Sequence, residues 1–271
     1  MPELPEVETT RRGIEPWLNG EVVDSLTVRQ RQLRWPVPRR LDRELPGQRV
    51  LRVGRRAKYL LVETARGTLI IHLGMSGSLR VPAPGVVPGS HDHVDLGLSS
   101  GRVLRFNDPR RFGAMLWTTR DPLRHPLLKD LGPEPLGPAF DGDLLYRAAR
   151  GRRVAIKNFI MNARVVVGVG NIYASEALFR AGIHPTRAAG RVSLRRMERL
   201  AGTIRSVLSD ALEAGGTTLR DFTWGDGQPG YFAQDLQVYD RAGLPCPACE
   251  TPLRRKVLGQ RSTFFCANCQ R

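Results

Sequence analysis

The hydrophobic pattern changes period once along the chain. After an opening helix, the first half carries short runs rich in Val, Ile and Leu at 48–53, 58–63, 68–73, 93–98, 102–106 and 113–118. Gly, Pro and Ser separate these runs, as in the loop 82–90. Short strands at that spacing predict an antiparallel sandwich or barrel. The proline-rich stretch 131–138 reads as a boundary, and beyond it the period becomes helical. Between 193 and 214, Leu194, Met197, Ala201, Ile204, Leu208, Ala211 and Leu212 recur at three- and four-residue steps, with Ser193 as N-cap and Gly215-Gly216 as stop. A shorter helix is predicted over 171–181, ending at Gly182. The segment 223–235, rich in glycine and aromatics without a helical period, reads as a mobile loop.

Composition narrows the class. A chain of 271 residues suggests two domains with a small third unit. The formal net charge of +16 favours a polyanionic partner, either nucleic acid or an anionic membrane surface. No stretch approaches the roughly 18 to 20 apolar residues of a membrane span. The N-terminus is acidic and lacks an apolar core, which argues against a secretory signal. A soluble intracellular nucleic-acid-binding protein is the expectation. Only Lys58, Lys129, Lys157 and Lys256 are lysines, against arginine elsewhere. Codon bias is the plain account; alternatively, Lys58 and Lys157 mark places that need an amine able to lose its proton.

All four cysteines lie near the C-terminus, as Cys246-x-x-Cys249 and Cys266-x-x-Cys269 with 16 residues between the pairs. That spacing suits tetrahedral zinc ligation by thiolates in a β-hairpin. Two disulfides are the alternative, disfavoured in an intracellular chain. With no open ligand position in view, the metal is expected to be structural. From 241 to 271 there are six basic residues and one acid, so the pinned hairpin is a natural phosphate binder. Arg261 stands near its tip.

Two turns add candidates. VVVGVGNIYASEALF passes through Gly168 and Gly170 into a helix whose first N–H groups, with Asn171, could hold a phosphate or simply allow close helix packing. Asp108-Pro109-Arg110-Arg111-Phe112-Gly113 sets two arginines and an aromatic in a turn between strands. That is a device for entering a duplex, or else a plain connection with Phe112 in the core. His91 and His93 lack a third metal ligand, so phosphate or hydrogen-bonding roles are the better reading.

Together these pieces resemble the formamidopyrimidine-DNA glycosylase family, bacterial enzymes that excise oxidised purines. The resemblance spans the chain: PELPEVET at the start, RRAKYLL (55–61), HLGMSG (72–77), DPRRFG (108–113), VVGVGNIYASE (166–176), GYFAQ (230–234) and QRSTFFC (260–266) in the four-cysteine segment. It implies an α+β multidomain fold: an N-terminal β-sandwich over 1–134, a helix–two-turn–helix domain with a lesion-capping loop over 135–236, and a zinc finger over 237–271. The partner implied is double-stranded DNA containing oxidised purines or abasic sites, processed by a cytoplasmic, nucleoid-associated monomer with one structural Zn²⁺ and no membrane contact. The related endonuclease VIII group, which prefers oxidised pyrimidines, matches PELPEVET and QRSTFFC less well. A catalytically silent zinc-finger protein is the alternative of a different class.

The resemblance also assigns roles. Removal of Met1 would expose the secondary amine of Pro2 as a nucleophile forming a cationic iminium with the sugar. Glu3 is its acid/base partner and Glu6 a supporting candidate. Pro5 at the first helical position would make Glu6 and Glu8 largely helix-start charges. Lys58, on a strand, is a proton donor, and Arg261 assists δ-elimination. Met75, Arg110 and Phe112 match the residues that fill the space left by the everted nucleotide. His91, Arg110, Arg153, Lys157 and Asn171 match DNA contacts. One departure is visible: where the family usually has an acidic residue followed by an amide, this chain reads Met161-Asn162-Ala163-Arg164, a change expected to weaken packing of the turn.

Overall fold

The computed structural model describes residues 2–215 and 236–271. The predicted loop at 223–235 lies outside them. The chain divides into two compact units, one running to Lys129, the other from Asp130 to Ala214 together with the C-terminal residues to Arg271.

The first unit opens with α1 (Leu4–Leu18), followed by β1 (Val23–Val28), a single turn of helix α2 (Leu41–Glu44), β2 (Val50–Arg56), β3 (Tyr59–Thr64), β4 (Thr68–His72), β5 (Ser78–Arg80), β6 (Asp92–Leu98), β7 (Val103–Asn107) and β8 (Ala114–Thr118). The strands form two four-stranded sheets, ordered β1-β6-β7-β5 and β2-β3-β4-β8, and every strand pair is antiparallel. Leu60, Val62, Leu69 and Ile71 from one sheet share a single core with Val94, Leu96, Leu104 and Phe106 from the other, and Val7, Ile14 and Leu18 of α1 join it. The sandwich expected from the strand spacing is therefore present. β1 went unpredicted although VDSLTV has strand composition, and β5 is three residues long, too short for a period to register. Trp117 sits in the same core and is polar-satisfied: its Nε1–H donates to Glu44 Oε2 at 2.6 Å.

The second unit contains α3 (Gly142–Ala149), α4 (Ile156–Ile160), α5 (Asn171–Ala181), α6 (Leu194–Glu213) and the hairpin β9 (Arg254–Leu258) and β10 (Arg261–Phe265). α6 packs on α3 and α5, and α5 packs on β10. Met197, Leu200, Ala201, Ile204, Val207, Leu208 and Ala211 make the buried stripe of α6, close to the predicted face. Ser193 is at the N-cap as expected, but its hydroxyl makes no capping bond. α3 was not predicted; its N-cap Asp141, which accepts from Leu144 N–H at 2.7 Å, is the signal that marks it.

Between α4 and α5 the chain makes two turns. Asn162 Oδ1 accepts from Arg164 N–H at 3.0 Å and its carbonyl accepts from Val165 and Val166 N–H, so the amide closes the turn.

Candidate nucleic-acid interface and metal centre

In the first unit, the register of both sheets gathers the candidate residues at one end. Arg56 pairs with Tyr59, Tyr59 with His72, and His72 with Ala114. Lys58 precedes Tyr59, Met75 follows His72, and Phe112 precedes Ala114, so all three occupy connections at the same end of the β2-β3-β4-β8 sheet. In the second sheet Asn107 pairs with both Ser78 and Asp92, which sets His91 and Asp108 at the corresponding end. A hydrogen bond from Ser76 Oγ to Asp108 Oδ1 at 2.8 Å ties the two ends together.

The start of α1 is brought to the same place. Arg55 Nε donates to Glu8 Oε2 at 3.0 Å, and Arg11 Nη1 donates to Val53 O at 3.2 Å. Moving along β2 toward its turn therefore moves along α1 toward its N-terminus. Carried one strand repeat further, this register sets Ala57 and Lys58 beside the first turn of the helix. Lys58 is not on a strand, as the sequence suggested, but in the two-residue turn, half-buried behind Ala57 at φ 54°.

Pro2 and Glu3 are buried. Glu3 is the N-cap of α1, which makes Pro5 the second helical residue rather than the first and Glu6 the third. Glu3 and Glu6 close a capping box, with Glu3 N–H donating to Glu6 Oε2 at 2.7 Å. Glu6 thus fixes the backbone of Glu3. Glu8 does more than meet the helix dipole. Burial pushes its pKa up, but hydrogen bonds from Arg11, Arg55 and Arg12 outweigh that and hold it below the usual range.

His72 was not singled out from sequence. Its ring lies 4.8 Å from that of Tyr59, and its Nδ1 accepts from Gly74 N–H at 3.0 Å, which requires an unprotonated Nδ1. Burial, with Lys58 and Arg34 nearby, lowers its pKa from 6.5 to about 4. Between these values the unfolded chain binds the extra proton and the folded chain does not, so stability falls as pH drops through that window. The loss reaches at most about 3 kcal/mol. A His72→Gln variant is expected to show a shallower loss of urea stability between pH 7 and pH 4.5 than the parent.

In the second unit, Lys157 is fully buried. Its Nζ donates to Asn171 Oδ1 at 2.6 Å, Thr263 Oγ1 at 2.8 Å and Ser262 O at 3.1 Å. All three ammonium donors are occupied. The sequence-based reading of Lys157 as a direct phosphate contact is corrected accordingly: it is a strut joining α4, the start of α5 and β10. Asn171 is the first residue of α5, half-buried, and its Nδ2 donates to Ser262 O at 3.0 Å. Arg153 is exposed just before α4, as are His91 and Arg110 in their own loops and Arg261 at the start of β10.

Arg261 opens β10 directly after a two-residue turn in which Gly259 and Gln260 have φ of 54° and 61°. Positive φ at both positions marks the mirror-type hairpin turn whose twist matches the strands. Leu258 pairs with Arg261 across it, so the arginine's direction is set by the hairpin. Glu176 is a further buried residue that sequence reading passed over, although it ends the quoted VVGVGNIYASE stretch. Its carboxylate accepts from Gln237, Val238 and Tyr239 N–H at 2.9, 2.9 and 2.8 Å, fixing the chain as it enters the cysteine-bearing segment.

The sulfurs of Cys246, Cys249, Cys266 and Cys269 lie within 4.8 Å of one another, with 3.5 Å between Cys249 and Cys266 and 3.9 Å between Cys246 and Cys269. Tetrahedral zinc with Zn–S near 2.3 Å places its sulfurs roughly 3.8 Å apart. No disulfide is present, since all four are free thiols. Cys269 N–H donates toward Cys266 Sγ at 3.4 Å, and Gln270 clamps the knuckle by accepting from Cys266 N–H and donating to Ile183 O, both at 2.9 Å. The donor set fits one structural Zn²⁺.

A two-sheet sandwich, a helix–two-turn–helix unit and a four-thiolate finger define a multidomain protein of the zinc-finger, nucleic-acid-facing class. Family models for the formamidopyrimidine-DNA glycosylase N-terminal domain, its helix–two-turn–helix domain and the zinc finger found in that glycosylase and in an isoleucyl-tRNA synthetase match residues 1–115, 131–223 and 243–271. The chain belongs to the formamidopyrimidine-DNA glycosylase family. It is 62% identical over 278 residues to the enzyme of Alkalilimnicola ehrlichii and 57% identical over 270 to that of Nitrosococcus oceani, covering all of each. Among solved structures, the MutM (Fpg) protein of Thermus thermophilus matches with a TM-score of 0.90 at 41% identity, covering 99% of this chain and 98% of that one. A Lactococcus lactis Fpg in complex with DNA containing an abasic site matches at 0.91 and 31% identity, covering 99% of each chain.

Proposed function

We propose that the protein is a bifunctional DNA glycosylase and abasic-site lyase that removes 8-oxoguanine and formamidopyrimidines from duplex DNA in base excision repair. Full-length similarity to enzymes of that name, together with a buried Pro2-Glu3 start to α1, carries the reading. Similar proteins have been solved with DNA containing Fapy-dG or an abasic site, which supports the same substrate class here. No described helix is long and apolar enough to cross a membrane. The protein acts as a monomer on nucleoid DNA.

In this reading the neutral amine of Pro2 attacks C1′ of the damaged nucleotide. The nitrogen–C1′ bond forms as the bond to the base breaks, and the base leaves with a proton. Loss of the amine proton and protonation of the ring oxygen by Glu3 open the sugar to an iminium. Being secondary, the amine yields an iminium that is cationic without further protonation; it accepts the electron pair released when the C2′ proton leaves, and the resulting enamine then expels the 3′ phosphate, which departs with its bonding pair. A second elimination, through the C4′ proton, expels the 5′ phosphate. Glu6 keeps Glu3 in place through the capping box. Lys58 supplies protons, Arg261 assists the second elimination, and Arg153, His91 and Asn171 contact the backbone. Met75, Arg110 and Phe112 occupy the space that the everted nucleotide leaves, offsetting a cost of a few kcal/mol. The zinc holds the hairpin that carries Arg261.

Sodium borohydride trapping with a duplex carrying 8-oxoguanine opposite cytosine tests the proposal. A covalent protein–DNA adduct is expected, with faster turnover of 8-oxoguanine than of thymine glycol. Tight DNA binding without an adduct, after complete removal of Met1, would sink it.

A further inference from the structure

Three exposed side chains stand on two loops at the loaded end of the sandwich. Met75 is 39% and Phe112 44% exposed, and the Arg110 guanidinium lies 5.1 Å from the centre of the Phe112 ring. Large apolar groups in water on separate loops gain nothing by keeping a fixed spacing. Here the spacing is fixed from beneath, by Asp108, which is completely buried.

Asp108 Oδ1 accepts from Ser76 Oγ–H at 2.8 Å, and Oδ2 accepts from Gly113 N–H at 2.7 Å. Ser76 Oγ in turn accepts from Arg110 N–H at 3.2 Å. The carboxylate therefore clasps the residue after Met75 and the residue after Phe112, and the serine relays the clasp to Arg110. The backbone of Asp108 extends it: its N–H donates to His91 O at 3.0 Å, and its carbonyl accepts from Arg111 N–H at 3.1 Å and lies 2.8 Å from His93 Nε2, which must then carry the proton. The loops also touch directly. Gly74 has φ 66°, and a Cβ there would come within 2.4 Å of the Phe112 carbonyl carbon. A buried carboxylate whose two oxygens each take a donor from a different exposed loop is an expensive arrangement unless the relative position of those loops matters.

We propose that Asp108, acting through Ser76, is a positioning residue that makes Met75, Arg110 and Phe112 a single rigid wedge entering the duplex in one step. The inference rests on the reading of those three residues as groups that fill the vacated space. It predicts that loosening the clasp slows extrusion of a stacked, paired lesion and leaves the chemistry on an easily extruded one largely intact.

The test is single-turnover base release by the full-length zinc-loaded protein, from 8-oxoguanine opposite cytosine and from 8-oxoguanine opposite an abasic residue, where no partner base is left behind. Ser76→Ala, which removes one relay hydroxyl, is expected to slow release about tenfold on the paired duplex and less than about threefold on the other. Phe112→Ala slows the paired duplex as well, and the double variant is expected to match Phe112→Ala within about twofold, because both act through one element. Asp108→Asn, which keeps the size of the hub and one acceptor oxygen, is expected to slow the paired duplex in the same direction. Equal slowing on both duplexes, multiplicative effects in the double variant, or an Asp108→Asn protein as fast as the parent overturns the inference. A parent protein that releases no base from either duplex overturns the functional reading and this inference with it, an outcome distinguishable from the rest.

Discussion

A protein carrying one extra residue ahead of Pro2 loses base release, strand cleavage and borohydride trapping together. Acylating the proline nitrogen turns it into an amide, which can neither attack C1′ nor carry the iminium. The expected fall in single-turnover excision is about 10³-fold or more. DNA affinity is expected to stay within about threefold, since phosphate contacts dominate it and none involves this nitrogen. Pro2→Gly separates two contributions. It restores a terminal amine, but a primary one, whose imine must be protonated before it can accept electrons. A loss of about 10- to 100-fold with adduct still trapped is the expected result. Quench-flow kinetics with gel-resolved products measure both. An extended protein that still cleaves at the parental rate would place the nucleophile elsewhere.

The second large effect is removal of zinc. The finger's own core is small: Val238, Cys246, Leu253, Phe264 and Cys266, packed against Phe179 of α5. An isolated two-stranded hairpin is marginal in water, and five side chains cannot supply what a metal does in so small a module. Chelation, or Cys266→Ser, is therefore expected to unfold 237–271 while α3 to α6 keep their circular dichroism. With the hairpin goes the fixed direction of Arg261. Binding to lesion duplex should weaken by about 100-fold or more, and β,δ-elimination should suffer with it. Limited proteolysis confined to the last 35 or so residues, accompanied by one equivalent of released zinc, would match the prediction. A metal-free protein that binds lesion DNA as tightly as the parent contradicts it.

How much of this was legible in advance follows from the physics of each element. Zinc ligation was readable because spacing alone nearly determines it. The long helix α6 and the paired strands were readable because twenty residues, or six separate runs, give periodicity room to register. Lys157 is assigned to DNA by family resemblance alone; only tertiary packing reveals three acceptors, two of them from the distant hairpin, closing on its ammonium. Asp108 lies within DPRRFG, but its place as a hub depends on a tertiary contact in the same way. Ser76 reaches it only through the way the two sheets meet, whereas Gly113 is a local partner five residues on in the same turn. Lys58 was placed on a strand because KYLLVE is strand-like throughout, while the turn before it depends on a left-handed alanine that no propensity scale anticipates.

That alanine belongs to a pattern with a practical side. Outside glycine, five described residues have positive φ: Ala57, Arg111, Asp240, Glu250 and Gln260. Three of them stand next to a proposed working residue, with Ala57 before Lys58, Arg111 between Arg110 and Phe112, and Gln260 before Arg261. Each such residue costs about 1 kcal/mol relative to a relaxed turn. Anyone engineering a more heat-resistant version would be drawn to these positions first, because glycine or a reshaped loop relieves the strain at once. They are also where the gain is most apt to be repaid in misaligned side chains. Thermostabilising substitutions are better sought along α3, α6 and the outer sheet surfaces, where no backbone has been bent to aim anything.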